Sequence, residues 1–231
     1  MTDIDNIITM FDSIANNLKY EKICEISQEQ KKEYELLLDD FIKINSSDRT
    51  TKEKGDVLEK IANFVLETSN IFDIYDNIRT ATNELDQLVR LNVKGKLLNS
   101  KGLIDSRLSN FIGECKNYSS KISVTYVGKI CSLMSTTQNK ICVLFSYHGI
   151  TGNNWISSSG LIRKFYLSKE RPEERYCIID FNIKDFESIR DGNNFLQIVH
   201  DKIISLQNDT DYTKLLKPHF STEAILKVQQ N

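Results

Sequence analysis

Phe111-Ile112-Gly113-Glu114-Cys115-Lys116-Asn117-Tyr118 opens as an apolar strand and ends on a carboxylate and an ammonium two residues apart. Along a strand, residues i and i+2 face the same side. Glu114 and Lys116 therefore project together at the strand's end, and Cys115 turns into the opposite layer. The segments around it set the fold class. Upstream, Ile71–Tyr75 and Glu84–Val93 read as two further strands, the second alternating through Leu85, Leu88, Val89 and Leu91. Asn92–Asn110 reads as an extended hairpin with a turn at Asn99-Ser100-Lys101-Gly102. Downstream, Ser123–Ser135 is helical, with Val127, Ile130, Cys131 and Met134 on one face. Ile141–Ser146 is an apolar run of strand length, buried on both faces. A helix near 156–168, a buried strand Tyr176–Asp180 and a mostly helical Ile183–Leu206 follow. Three strands, a helix and a parallel strand predict an α/β fold with a mixed central sheet flanked by helices.

Ahead of this core, residues 3–19 and 27–45 each carry an apolar stripe at helical spacing. Asn45-Ser46-Ser47-Asp48 is a polar break, and a third helix carries Val57, Leu58, Ile61, Ala62, Val65 and Leu66. The expected organisation is an N-terminal helical region over 1–50 and one domain over 51–231.

The whole chain of 231 residues carries 30 basic and 32 acidic side chains, too balanced to coat a polyanion by bulk charge. The balance is uneven along the chain. Residues 1–50 hold 11 acids and 6 bases, whereas residues 90–140 hold nine bases against Asp105 and Glu114. A local excess of that size suits contact with a phosphate backbone, and it equally suits a solvated lysine-rich face. No run is long and apolar enough to span a bilayer, and MTDIDNIITM lacks a basic leader, so a cytoplasmic protein is expected. Cys24, Cys115, Cys131, Cys142 and Cys177 show no C-x-x-C spacing and read as buried thiols of a reducing compartment.

A carboxylate beside a lysine can share in holding a hard divalent cation, but one carboxylate holds Mg²⁺ poorly. Asp86, near the start of a strand that pairs antiparallel with the one ending at Glu114, lies beside that end. Glu59, in Lys54-Gly55-Asp56-Val57-Leu58-Glu59, can point toward the same place. With Arg79-Thr80-Ala81-Thr82-Asn83-Glu84-Leu85-Asp86 and Glu114-Cys115-Lys116-Asn117, this order of helix, strand and strand resembles the PD-(D/E)XK nuclease superfamily. Within it, the chain is similar to the Mrr-like restriction endonuclease group over roughly residues 53–180.

The resemblance implies a restriction-endonuclease-like core and metal-dependent phosphodiester hydrolysis, with DNA as the expected substrate and RNA as the alternative. It implies Asp86, Glu114 and the Cys115 carbonyl as ligands of Mg²⁺ or Mn²⁺, Lys116 as the catalytic lysine and Glu59 as an auxiliary carboxylate. Arg79, Lys94, Lys96 and Lys121 are the expected backbone contacts. A role in defence against foreign DNA, a homodimer through the N-terminal helices and a protein partner follow from it as expectations. Three features depart from the family pattern. The interval from Asp86 to Glu114 is long. It contains Asp105, which is also suitably spaced as the metal ligand, although Asp86 is preferred. The motif's proline is absent. The rival function is a nuclease-like module that binds nucleic acid or protein without cutting. Ser146-Tyr147-His148-Gly149-Ile150-Thr151-Gly152 lacks the Lys-Ser/Thr of a P-loop and reads as a strand-to-helix turn.

Overall fold

In the computed structural model, residues 26–79, 84–152 and 156–208 are described. Thr80, Thr82, Trp155 and the helical stripe of residues 3–19 lie outside them. Helix α1 (Gln28–Asn45) and helix α2 (Thr51–Thr68) each begin with a capping box, Ser27 with Gln30 and Thr50 with Glu53. Each cap satisfies amide groups left bare in the first turn, which is why the chain starts helices there. Of the strands β1 (Phe72–Arg79), β2 (Glu84–Leu91) and β3 (Asn110–Cys115), β2 lies in the middle and runs antiparallel to the other two. Helix α4 (Val124–Thr137) then crosses over to strand β4 (Ile141–Phe145), parallel to β3. Helix α5 (Ser158–Tyr166) leads to the parallel strand β5 (Cys177–Phe181), and the sheet order is β1-β2-β3-β4-β5. Helices α6 (Ile183–Arg190) and α7 (Phe195–Asn208) follow. The α/β class and the mixed sheet flanked by helices are thus present.

The strands sort their side chains between two layers. Phe111, Cys115, Ile141, Val143 and Phe145 join a large core with α1, α2, α6 and α7. Ile112, Cys142 and Leu144, one step out of phase, join a smaller core with Val127, Ile130 and Met134 of α4 and Ile162 of α5. Every residue of β4 is buried, as expected for a central parallel strand covered on both faces.

Three expectations are corrected. Residues 92–110 are no hairpin: they hold α3 (Val93–Ser100) and a 3₁₀ turn at Ser106–Ser109. The Asn92 side chain accepts the Gly95 amide to cap α3, and Gly95 is pressed so close to Ile71 that a Cβ would come 2.4 Å from its carbonyl oxygen. The boundary at residue 50 does not divide the packing. Tyr34, Leu38 and Phe41 of α1 are fully buried in the large core, and the Tyr34 hydroxyl donates to the Phe186 carbonyl at 2.7 Å. The apolar face of α1 is therefore not left for dimerisation. The first strand also continues past Tyr75 to Arg79, paired along β2.

Candidate active site

The register Gln87↔Gly113 places Asp86 one step further on, beside Glu114. The side chains meet. The Lys116 ammonium lies 2.7 Å from Asp86 Oδ2 and 2.9 Å from Glu114 Oε1. Asp86 Oδ2 also accepts the Cys115 amide at 2.9 Å, which fixes the carboxylate across the end of β3. The Lys116 amide donates to the Phe145 carbonyl at 2.9 Å, so the chain is still held to β4 where the lysine emerges. Asn117 anchors the exit by donating to the Lys54 carbonyl at 2.7 Å, tying this end of the sheet to the first turn of α2.

Two tyrosines complete the cluster, and sequence reasoning missed both. The Tyr126 hydroxyl, in the first turn of α4, donates a short hydrogen bond to Glu114 Oε1. Its ring stands edge-on to Tyr118 at 6.0 Å, and the Lys116 ammonium lies 5.7 Å from the Tyr126 ring centre. The available signal was positional. Tyr126 precedes Val127, the first residue of the helix's apolar stripe, and its turn begins just beyond the E-x-K strand.

The electrostatics follow from burial. Glu114 is 6% exposed, and its Oε2 has no hydrogen-bond partner among the described residues. Burial raises its carboxyl above the ordinary range; Lys116 opposes this and the like charge of Asp86 adds to it. Burial alone would lower the Lys116 ammonium, but Glu114 and Asp86 hold it above the usual lysine range. Tyr126 is raised by burial and by Glu114, so it remains a donor.

Glu59 extends from the exposed face of α2 and makes no hydrogen bond or ion pair among the described residues. Burial raises its carboxyl, and Asp86 is the largest of its charged neighbours. Two carboxylates thus hold one ammonium, and Glu59 acts on them only through its charge. Asp105 stands elsewhere, gripped by Arg107 at 2.7 and 3.0 Å and held below the ordinary range despite its burial. Of the two aspartates considered, Asp86 is the one beside Lys116.

The expected backbone contacts do not gather. Arg79 pairs with Glu84 at 3.3 Å on an exposed edge. Lys94 and Lys96 sit on α3, which starts just beyond Leu91 at the far end of β2. Five residues of strand separate Asp86 from that end, roughly 17 Å. The physical reason is the helix: an extended hairpin could fold back over the site, whereas α3 is pinned beside Ile71 and Leu91. Lys121 is exposed in the loop between the E-x-K strand and α4.

Among the described residues, no set of three or more His, Cys, Asp or Glu side chains is gathered as a metal site. Asp86 and Glu114 are held close by the ammonium between them. Their charge and the orphaned Glu114 Oε2 fit a hard cation that keeps most of its ligands as water. Among the described residues, no helix is long and apolar enough to cross a membrane. Comparisons with protein-family models, curated proteins and solved structures gave no match.

Proposed function

We propose that the chain is a divalent-metal-dependent nuclease with a restriction-endonuclease-like core, cutting phosphodiester bonds in DNA. The observation that carries this reading is the convergence of Asp86, Glu114 and Lys116 from two strands that the sequence separates by 28 residues or more. In this reading Asp86, Glu114 and the Cys115 carbonyl hold Mg²⁺ or Mn²⁺. When bound, the metal lowers the pKa of an attached water and neutralises charge on the scissile phosphate. Lys116, no longer needed between the two carboxylates, stabilises the charge that develops on the phosphoryl oxygens. Tyr126 holds Glu114 in orientation through Oε1 and leaves Oε2 open. Glu59 supplies a further acceptor at the mouth of the site. A place in defence against foreign DNA rests on the family resemblance alone.

The test is digestion of supercoiled plasmid with Mg²⁺ or Mn²⁺. Nicking or linearisation that is lost in Lys116→Ala and Asp86→Asn, with both variants folded, is the expected result. Metal-dependent cutting that survives either substitution, or DNA binding without cutting under any metal, overturns the nuclease reading. The second outcome favours the inactive binding module, which the ammonium seated between Asp86 and Glu114 would stabilise as a metal-free site.

A further inference from the structure

A second concavity, with Tyr147, Ile150 and Ile183 as its apolar wall, opens at the carboxyl ends of β4 and β5, outside the Asp86–Glu114–Lys116 cluster. It measures about 280 Å³, and Lys121, His148, Gly149, Asp180, Asn182 and Lys184 line it. Ligands of open α/β sheets commonly bind outside the carboxyl ends of strands. The walls are built rather than incidental. The Ile122 amide donates to the Gly149 carbonyl at 2.8 Å and the Thr151 amide to the Ile122 carbonyl at 3.0 Å. These bonds hold the Lys121 loop against the loop that follows β4. Gly149 has φ +70°, and a Cβ there would come 3.1 Å from Asp180 Oδ2 and 3.2 Å from Asn182 Nδ2. Only glycine meets both constraints without strain, so the loop lies flat against Asp180.

The lining chemistry is two-sided. Lys121, Lys184 and His148 are exposed lining residues, and neither lysine has a salt-bridge partner among the described residues. On the floor, Asp180 takes a 3.0 Å hydrogen bond from Asn182 through Oδ2 and faces the Ile150 amide and the Lys202 ammonium, while its buried Oδ1 makes no hydrogen bond of good geometry among the described residues. A ligand that satisfies both sides carries an anion for the lysines and a hydrogen-bond donor for the carboxylate. A nucleoside offers the donor without the anion, whereas inorganic phosphate, still protonated at neutral pH, carries both on one small group and is the control that a nucleotide must outbind.

The geometry points to a nucleotide-binding subsite, with the phosphate at Lys121 and Lys184 and a donor of the sugar or base at Asp180. The strand register relates it to the candidate active site. Cys115 pairs with Phe145 and Phe145 with Phe181, so Lys116 and Asn182 stand in one row along the sheet edge. Two strand spacings separate their backbones, roughly 10 Å, about three base-pair rises of 3.4 Å along a duplex. If the nuclease reading holds, the nucleotide is a unit of the strand being cut; the subsite itself does not depend on that reading.

The experiment is calorimetric titration of the full chain in EDTA with deoxyadenosine monophosphate, deoxyadenosine and inorganic phosphate. The monophosphate is expected to bind at least ten-fold more tightly than either fragment. Lys121→Ala with Lys184→Ala should weaken it at least ten-fold, and Asp180→Asn should weaken it while sparing inorganic phosphate. An unchanged affinity in the double lysine variant, or phosphate binding as tightly as the nucleotide, overturns the proposal. Because both lysines are exposed, that variant keeps the test valid should Asp180→Asn fail to fold. Competition by a single-stranded oligodeoxynucleotide identifies a strand as the source, and its absence a free nucleotide. Lys116→Ala separates the two sites: it should abolish plasmid cutting and leave nucleotide affinity within two-fold. Nucleotide binding without cutting in the unaltered protein retires the nuclease reading alone, and cutting without nucleotide binding retires the subsite alone.

Discussion

Lys116→Met removes the one ammonium that touches both Asp86 and Glu114, and its cost follows from where those carboxylates sit. The Glu114 side chain is 8% exposed, and its Oε2 already lacks a partner among the described residues. Asp86 and Lys116 are about a quarter exposed, at 23% and 24%. Breaking a fully buried pair by deleting one partner costs about 3–5 kcal/mol. Partial exposure of two of the three groups moves the expectation to the lower end, about 3 kcal/mol. For a chain of this size that lowers Tm by roughly 6–12 °C. Thermal unfolding at pH 7.5 in EDTA measures it. A second arm makes the test specific. With the competing ammonium gone, Mn²⁺ should restore a large part of the loss in Lys116→Met and stabilise the unaltered protein less. A variant within about 0.5 kcal/mol of the unaltered protein in EDTA would show that Lys116 does not neutralise these carboxylates. A loss that Mn²⁺ leaves untouched would show that the freed carboxylates do not hold a cation.

Glu114, raised by burial, binds its proton more tightly folded than unfolded. Its contribution to stability is complete below the unfolded carboxyl range and is lost as pH rises through its raised folded value. Chemical denaturation across that window should show stability falling with pH, and Glu114→Gln should flatten the slope. Leu38→Ala on α1 should cost about 2–5 kcal/mol by urea denaturation, because its fully buried side chain leaves a cavity in the large core; a cost under 1 kcal/mol would mean that α1 is a dispensable arm. Gly113→Ala should cost about 1–3 kcal/mol in the same assay, since a Cβ would meet Gln87 Oε1 at 2.2 Å and its Cβ at 3.1 Å across the strand pair. Lys94→Ala with Lys96→Ala should leave the salt dependence of DNA binding unchanged, whereas two lost phosphate contacts would reduce its logarithmic slope by about 1.8.

The elements with strong local signals were legible. Alternation marked β2, the unbroken apolar run marked β4, and the E-x-K step placed Glu114 and Lys116 on one side because strand geometry leaves no other choice. Asp86 was reachable because antiparallel pairing puts the start of one strand beside the end of its neighbour. Helix α3 was not. Val93-Lys94-Gly95-Lys96 contains a glycine that argues against a helix, and what overrides that is tertiary: the groove beside Ile71 admits no side chain there. Tyr126 was missed because its role depends on where α4 lands after its crossover, which no local pattern encodes.

The same gap between chain order and space governs the charge. Nine bases between residues 90 and 140 suggest one phosphate-tracking face, but the fold spends them on different tasks. Arg107 closes on Asp105 and reaches the Cys177 sulfur at 3.3 Å. Lys140 lies 4.3 Å from the Tyr176 ring centre, and Lys94 and Lys96 ride on α3 at the far end of β2. Lys116 is committed to two carboxylates. At the carboxyl edge of the sheet, Lys121 is joined instead by Lys184, which lies 63 residues further along the chain and outside the basic segment. A polyanion approaching that edge would meet charge assembled by the parallel strands rather than by sequence proximity. The lysines to weigh for phosphate contact are therefore those that the β3, β4 and β5 termini bring into one row.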